Sequence, residues 1–315
     1  MVEAPYCSPP HKELLTPSLA LPKNSCDCHV HVFGPAERYP YQTKRAYTPH
    51  DCTPDMLFDL HDALGIQRAV IVQASVHGTD NTAILDAVAL APQRLRAVAS
   101  VSPEVSDREL ARLHEGGVRA IRVNMVDKGG MPFKSLDELE AMADRIADMG
   151  WHIELLAHVE EVEELPELAS RLSVPISVGH FGYTKAALTV AHPGYDRFLG
   201  LVREGRCWVK LTAPYRISDE GGVPYSDVRP FADALVRAAP ERLIWGSDWP
   251  HVMQVKPMPH DAHLLDLLGD WVTDPSIRRM LFVDNPSALY GFDEFAAAKR
   301  NSPLVSQSPG LAGEN

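Results

Sequence analysis

Eight short apolar runs punctuate the chain: Cys26–Val32, Arg68–Ala74, Leu95–Val101, Val118–Asn124, His152–Ala157, Pro175–Gly179, Cys207–Leu211 and Arg242–Gly246. After each comes a stretch whose apolar positions recur at helical spacing. Short runs that are apolar on both faces read as buried strands, and the amphipathic stretches as the helices that cover them. Local residues mark the helix ends. Thr53, Pro54 and Gly65 are an N-cap, a first-turn proline and a C-terminal glycine. Ser135-Leu-Asp-Glu138 is a capping box whose helix closes at Gly150, and Asn285-Pro286 opens a last helix that Gly291 ends.

Eight β-then-α units predict an α/β fold, a single (β/α)₈ barrel of the TIM type over residues 25–298. A Pro-rich extended arm (1–24) precedes it and a Ser/Gly/Pro-rich flexible tail (299–315) follows. The rival, an open doubly wound sheet, calls for a glycine-rich phosphate loop after the first strand, and none is present. No repeat of fixed period suggests a solenoid.

Composition narrows the partners. The chain has 315 residues, 45% hydrophobic and 23% charged, with a formal net charge of −12, which argues against nucleic acid or an anionic membrane. No apolar run approaches the ~20 residues of a membrane span. The start, Met1-Val2-Glu3-Ala4-Pro5, lacks the basic-then-apolar pattern of a signal peptide. Five irregularly spaced cysteines (Cys7, Cys26, Cys28, Cys52, Cys207) suit reduced thiols and a cytoplasmic protein. Oligomeric state stays open, a homo-oligomer included.

Chemistry concentrates at the strand tips. By strand parity Asp27, His29 and His31 share one face. His-x-His alone is a weak signal. It gains weight from Val178-Gly-His180-Phe-Gly182 after the sixth run and from Trp245-Gly-Ser-Asp248-Trp-Pro-His251 after the eighth. In a parallel barrel these tips meet at one mouth, where a carboxylate is either a metal ligand or a base that deprotonates water.

On these residues the sequence resembles the amidohydrolase superfamily of barrel hydrolases (amidohydrolase-related family 2), in the branch of lactonases that open 2-pyrone-4,6-dicarboxylate and 4-sulfomuconolactone. The resemblance runs from about Ser25 to Tyr290. Its specific stretches are Asp27–Pro35, Val72–Asn81, His114–Asn124 and Ile244–His251. It implies that Asp248 activates water while His29, His31 and His180 polarise the lactone carbonyl, directly or through a metal. A base of this kind predicts a rate that falls as pH drops through the carboxylate range. The resemblance further implies substrate contacts at Tyr47, Ser75, Arg122, Lys128, Arg216 and His251. The cations among them suit a small polyanionic lactone from aromatic catabolism.

Two positions depart from the pyrone-dicarboxylate pattern: Leu156 stands where it has tyrosine, and Tyr183 where it has arginine. They imply a related substrate, with 4-sulfomuconolactone or another muconolactone fitting better. The fourth run has neither lysine nor glutamate to bridge two metals. One divalent ion, zinc for preference, on His29, His31, His180 and Asp248 competes with a metal-free site. His158 and Glu154 are further candidate ligands, although Glu154 so deep in a barrel needs a cation beside it or a proton. No organic cofactor is implied. The alternatives are a metal-dependent decarboxylase, a sugar-acid lactonase and a non-catalytic binding protein.

Overall fold

Thr53 and Gly65 bound the first helix as their chemistry predicts. The Thr53 hydroxyl accepts from the Met56 N–H, and Gly65 takes φ +76° just past the end. In the computed structural model, which describes residues 4–126, 133, 135–255 and 257–292, this helix is α1 (Pro54–Leu64). The tail at 299–315 lies outside the described residues.

The strands are β1 (Cys26–Val30), β2 (Arg68–Val72), β3 (Leu95–Ala99), β4 (Val118–Asn124), β5 (His152–Leu156), β6 (Ile176–Val178), β7 (Cys207–Thr212) and β8 (Leu243–Gly246). They pair in sequence order, all parallel. The covering helices are α2 (Thr82–Leu90), α3 (Asp107–Glu115), α4 (Leu136–Ala147), α5 (Leu165–Arg171), α6 (Pro193–Arg203), α7 (Arg229–Ala238) and α8 (Asp261–Trp271). Two shorter helices, α9 (Pro275–Arg279) and α10 (Asn285–Tyr290), complete the described chain. This is the (β/α)₈ barrel that the alternation predicts. None of the described helices is long and apolar enough to cross a membrane.

Alternate strand residues divide between two cores. Ala69, Ile71, Ala97 and Val209 pack outward beneath the helices. Cys26, Cys28, Val70, Val72, Val98, Ala120 and Ile244 form a second cluster with Leu289, Tyr290 and Phe292 from the end of α10. The Arg96 guanidinium sits 4.7 Å from the Phe292 ring and donates to the Gly291 carbonyl at 3.0 Å. That end of the barrel is therefore plugged, and the interior opens at the C-terminal tips.

Residues 4–24 make one isolated bridge, Tyr6 to Thr48. The Leu19 N–H donates to Asp266 and the Met253 N–H to the Cys7 sulfur, which ties these residues to α8 and to the loop after β8.

Strict parity fails in β1. Asp27 pairs with Ala69, but Val30 and not His29 comes opposite Ile71, so one extra residue enters the strand. This β-bulge turns His29 inward with Cys28 while Asp27 stays outward, 3.5 Å from His61 of α1. Asp27 and His29 therefore do not share a face.

β8 meets β1 at the same place. The Asp248 N–H donates to the His29 carbonyl, the His31 N–H to the Trp249 carbonyl, and the Ser247 N–H to Asp27 Oδ1. Gly246 permits this contact, because a Cβ there would lie 2.6 Å from His29 Cβ. Gly246→Ala is expected to cost about 1–3 kcal/mol through overpacking. Urea unfolding checks it, and a wild-type midpoint would show that the seam yields freely.

Candidate active site

Beyond β6 and β8 the chain turns through left-handed backbone at residues that carry functional groups. His180 follows β6 at φ +54°, Asp248 follows β8 at φ +69°, and Tyr183 has φ +56°. Left-handed backbone at non-glycine residues costs about 1–3 kcal/mol each and collects at functional sites. These tips surround a cavity of about 130 Å³ lined by His31, Tyr47, Ser75, Arg122, Leu156, His180, Tyr183, Arg216, Asp248, Val252 and Met253.

Asp248 is the hub. Its Oδ2 accepts from Arg216 Nε at 2.8 Å and from the Tyr215 hydroxyl at 2.6 Å, with Arg216 Nη2 also 2.6 Å away. Its Oδ1 is buried without a hydrogen-bond partner, 3.5 Å from His29 Nε2 and 3.8 Å from His31 Nε2. Burial pushes the Asp248 carboxyl up. Arg216, His180, His31 and the Tyr215 hydroxyl outweigh burial and hold it well below the ordinary carboxylate range. These neighbours favour the ionised carboxylate, so Asp248 resists protonation through the range in which an ordinary carboxylate titrates.

The histidines are held neutral. Burial first, then the Lys210 charge, lowers His29 well below its ordinary value. Burial and Arg122 bring His31 to about 4, and burial brings His180 to about 3. His31 Nδ1 lies 2.8 Å from the Val72 carbonyl and must donate to it, so Nε2 presents a lone pair beside Asp248. His180 hydrogen-bonds the backbone of Thr212, while its Nδ1 has no partner.

The predicted contacts distribute unevenly. Tyr47, Ser75, Arg122 and Arg216 line the cavity, with Arg122 also donating to the Gln73 carbonyl. Lys128 lies outside the described residues. His251 does not line the cavity: it is buried behind Asp248, with Nδ1 at 2.9 Å from the Tyr215 hydroxyl and Nε2 at 3.2 Å from Asp261. His158 turns to the Tyr183 carbonyl, and Glu154 is paired with Lys210, so neither joins the other candidate ligands. Tyr215 and Lys210 escaped the sequence reading. Tyr215 adjoins Arg216 without a motif of its own, and Lys210 was signalled only by the cation that Glu154 required.

Ligand atoms of His29, His180 and Asp248 lie within 4.8 Å of one another, a group that can hold a metal ion. The far edge of the His29 ring opposes that use. A metal-bound imidazole is normally backed by a carboxylate or carbonyl that accepts its other N–H. Here the nearest polar group to His29 Nδ1 is the Lys210 ammonium at 3.3 Å, with the Glu154 carboxylate beyond hydrogen-bond reach at 3.6 Å. As built, the residues do not fit a metal at His29.

This chain belongs to the amidohydrolase family, whose model matches residues 26–292. The 2-pyrone-4,6-dicarboxylate hydrolase of Comamonas testosteroni is 37% identical over 286 residues, covering 88% of this chain and 93% of that one. The 4-sulfomuconolactone hydrolase of Rhizobium radiobacter is 37% identical over 289 residues, covering 91% and 96%. Among solved structures, a probable 2-pyrone-4,6-dicarboxylic acid hydrolase from Acinetobacter baumannii with citric acid bound superposes with a TM-score of 0.75. It is 26% identical and covers 85% of this chain and 99% of its own.

The neutral histidines set a stability profile. Unfolded, each takes a proton near pH 6.5, whereas folded His31 waits until about pH 4 and His152 and His180 until about pH 3. Acid therefore favours the unfolded chain. Stability from these groups is complete above about pH 6.5 and declines as pH falls below it. Urea unfolding from pH 7 to 4.5 tests this, and a flat profile would contradict it.

Proposed function

We propose that this chain is a lactonase that opens a small anionic lactone of the 4-sulfomuconolactone or 2-pyrone-4,6-dicarboxylate kind, in the cytoplasmic breakdown of aromatic compounds. One observation carries the reading: Asp248 Oδ1, a buried acceptor without a partner, faces His29 Nε2 across 3.5 Å beside a cavity lined by Arg122 and Arg216. The named activities of the two relatives at 37% identity support it, as do five free thiols for the cytoplasmic setting.

In this reading Arg122 and Arg216 bind the substrate's acidic groups, and Arg216 is shared with Asp248. Tyr47 and Ser75 border the same space. Water rests against Asp248 Oδ1 and His31 Nε2, both acceptors, with its oxygen turned to the lactone carbonyl. Asp248 takes a proton as that oxygen bonds to the carbonyl carbon. His29 donates to the developing oxyanion, and His180 borders it. The ring C–O bond then breaks, and the leaving oxygen receives the proton. Leu156 and Tyr183 supply no cation in the cavity, which favours the sulfonated lactone over the pyrone.

Both lactones assayed on protein dialysed against a chelator provide the test. The expected result is base consumption without CO₂, faster on 4-sulfomuconolactone, at a rate the chelator leaves unchanged. CO₂ release would mean decarboxylation, and a rate restored only by zinc would mean a metal site. Asp248→Asn is expected to lower kcat by about 10²- to 10⁴-fold. The value of kcat/KM should stay level down to about pH 5 and fall near pH 4, where His31 gains a proton. A limb centred at pH 6–7 would rule out this assignment of groups.

A further inference from the structure

Beneath the His29 ring lies a buried ion pair. Lys210 Nζ, on β7, is 2.5 Å from Glu154 Oε2 of β5, 2.8 Å from the Cys28 carbonyl and 3.3 Å from His29 Nδ1. Lys210 is 0% exposed and Glu154 2%, so neither reaches bulk solvent.

An ammonium has three N–H donors and no acceptor. Lys210 has three neighbours within reach: a carboxylate oxygen, a carbonyl oxygen and an imidazole nitrogen. All three are satisfied only if His29 Nδ1 accepts. The ring proton of neutral His29 is then on Nε2, the atom 3.5 Å from Asp248 Oδ1. Were it on Nδ1, two donors would face each other in a dry interior, and a buried donor without a partner costs about 1–3 kcal/mol. Glu154 Oε1, 3.6 Å from Nδ1, is too far to claim that proton by a hydrogen bond.

We infer that Lys210, braced by Glu154, is a positioning residue that fixes His29 as its Nε2–H tautomer, which makes the ring a hydrogen-bond donor to the substrate carbonyl and a poor metal ligand. This rests on the lactonase reading for its catalytic meaning, but the tautomer itself does not. His31 is held in the opposite tautomer by the Val72 carbonyl. Adjacent imidazoles thus present one donor and one acceptor to the same space, as the carbonyl and the attacking water require.

The test uses the full chain with ¹⁵N-labelled histidine, the His29 signal being assigned by its loss in His29→Gln. Wild type should show a protonated Nε2 and a bare Nδ1. Lys210→Met should abolish that preference, lower kcat by roughly 10- to 100-fold with KM within about twofold, and bind zinc at least about tenfold more tightly by chelator competition. Glu154→Gln, which keeps the lysine's donors, should retain the wild-type tautomer. If Lys210→Met does not fold, the uncharged pair Lys210→Met/Glu154→Gln replaces it with the same expectations. A protonated Nδ1 in wild type overturns the inference. So does Lys210→Met with unchanged tautomer and unchanged zinc affinity. Wild type with the expected tautomer but no turnover of either lactone would defeat the lactonase reading alone.

Discussion

The seam between β8 and β1 is the constraint on which the site depends. A barrel must close, and here the closing hydrogen bonds come from the functional residues themselves: the Asp248 N–H on the His29 carbonyl and the His31 N–H on the Trp249 carbonyl. Backbone pairing thereby brings the residues that carry the carboxylate and the imidazoles side by side. Asp27 locks the junction from outside, its Oδ1 accepting from both the His29 and the Ser247 N–H. Positive φ at Asp248 is the local cost of turning a side chain from the end of β8 into the mouth.

Charge is distributed around this seam so that every ionised group has a partner, while the facing atoms of Asp248 and His29 lack one. Arg216 and Tyr215 hold one oxygen of Asp248, and the other is bare. Burial and the surrounding cations keep the histidines neutral, which leaves their donor and acceptor sides to be decided by fixed neighbours. A site of this kind needs little reorganisation when charge develops, which is where preorganised donors have their largest effect.

Much of this was legible in the sequence. Eight apolar runs gave the strands because a strand buried on both faces has few alternatives, and the caps at Thr53 and Ser135 fixed helix starts by local chemistry. His180 and Asp248 were legible because each lies just past such a run, and His29 and His31 because they form a His-x-His pair within the first one. The β1 bulge was not, since one inserted residue leaves no mark in hydropathy yet reverses the face of everything after it. His251 misled for a related reason: three residues beyond Asp248, a tight turn at φ +58° sends it behind the carboxylate instead of into the mouth. Lys210 was hidden in an apolar strand, where a lone lysine gives no hint of which strand across the barrel carries its partner.

That lysine also shows where stability and function part. Replacing a buried ion pair by apolar side chains of similar volume is often neutral or stabilising, because desolvation offsets most of the attraction. The barrel demonstrates the apolar solution nearby, where Val70, Val72, Val98, Ala120 and Ile244 fill the interior. Lys210 and Glu154 break that pattern directly below His29. Their defining consequence is at the imidazole edge: an ammonium with two fixed oxygens has one hydrogen left, and geometry directs it at Nδ1. The fold accepts charge in its interior at the place where that charge determines which end of a histidine carries the proton.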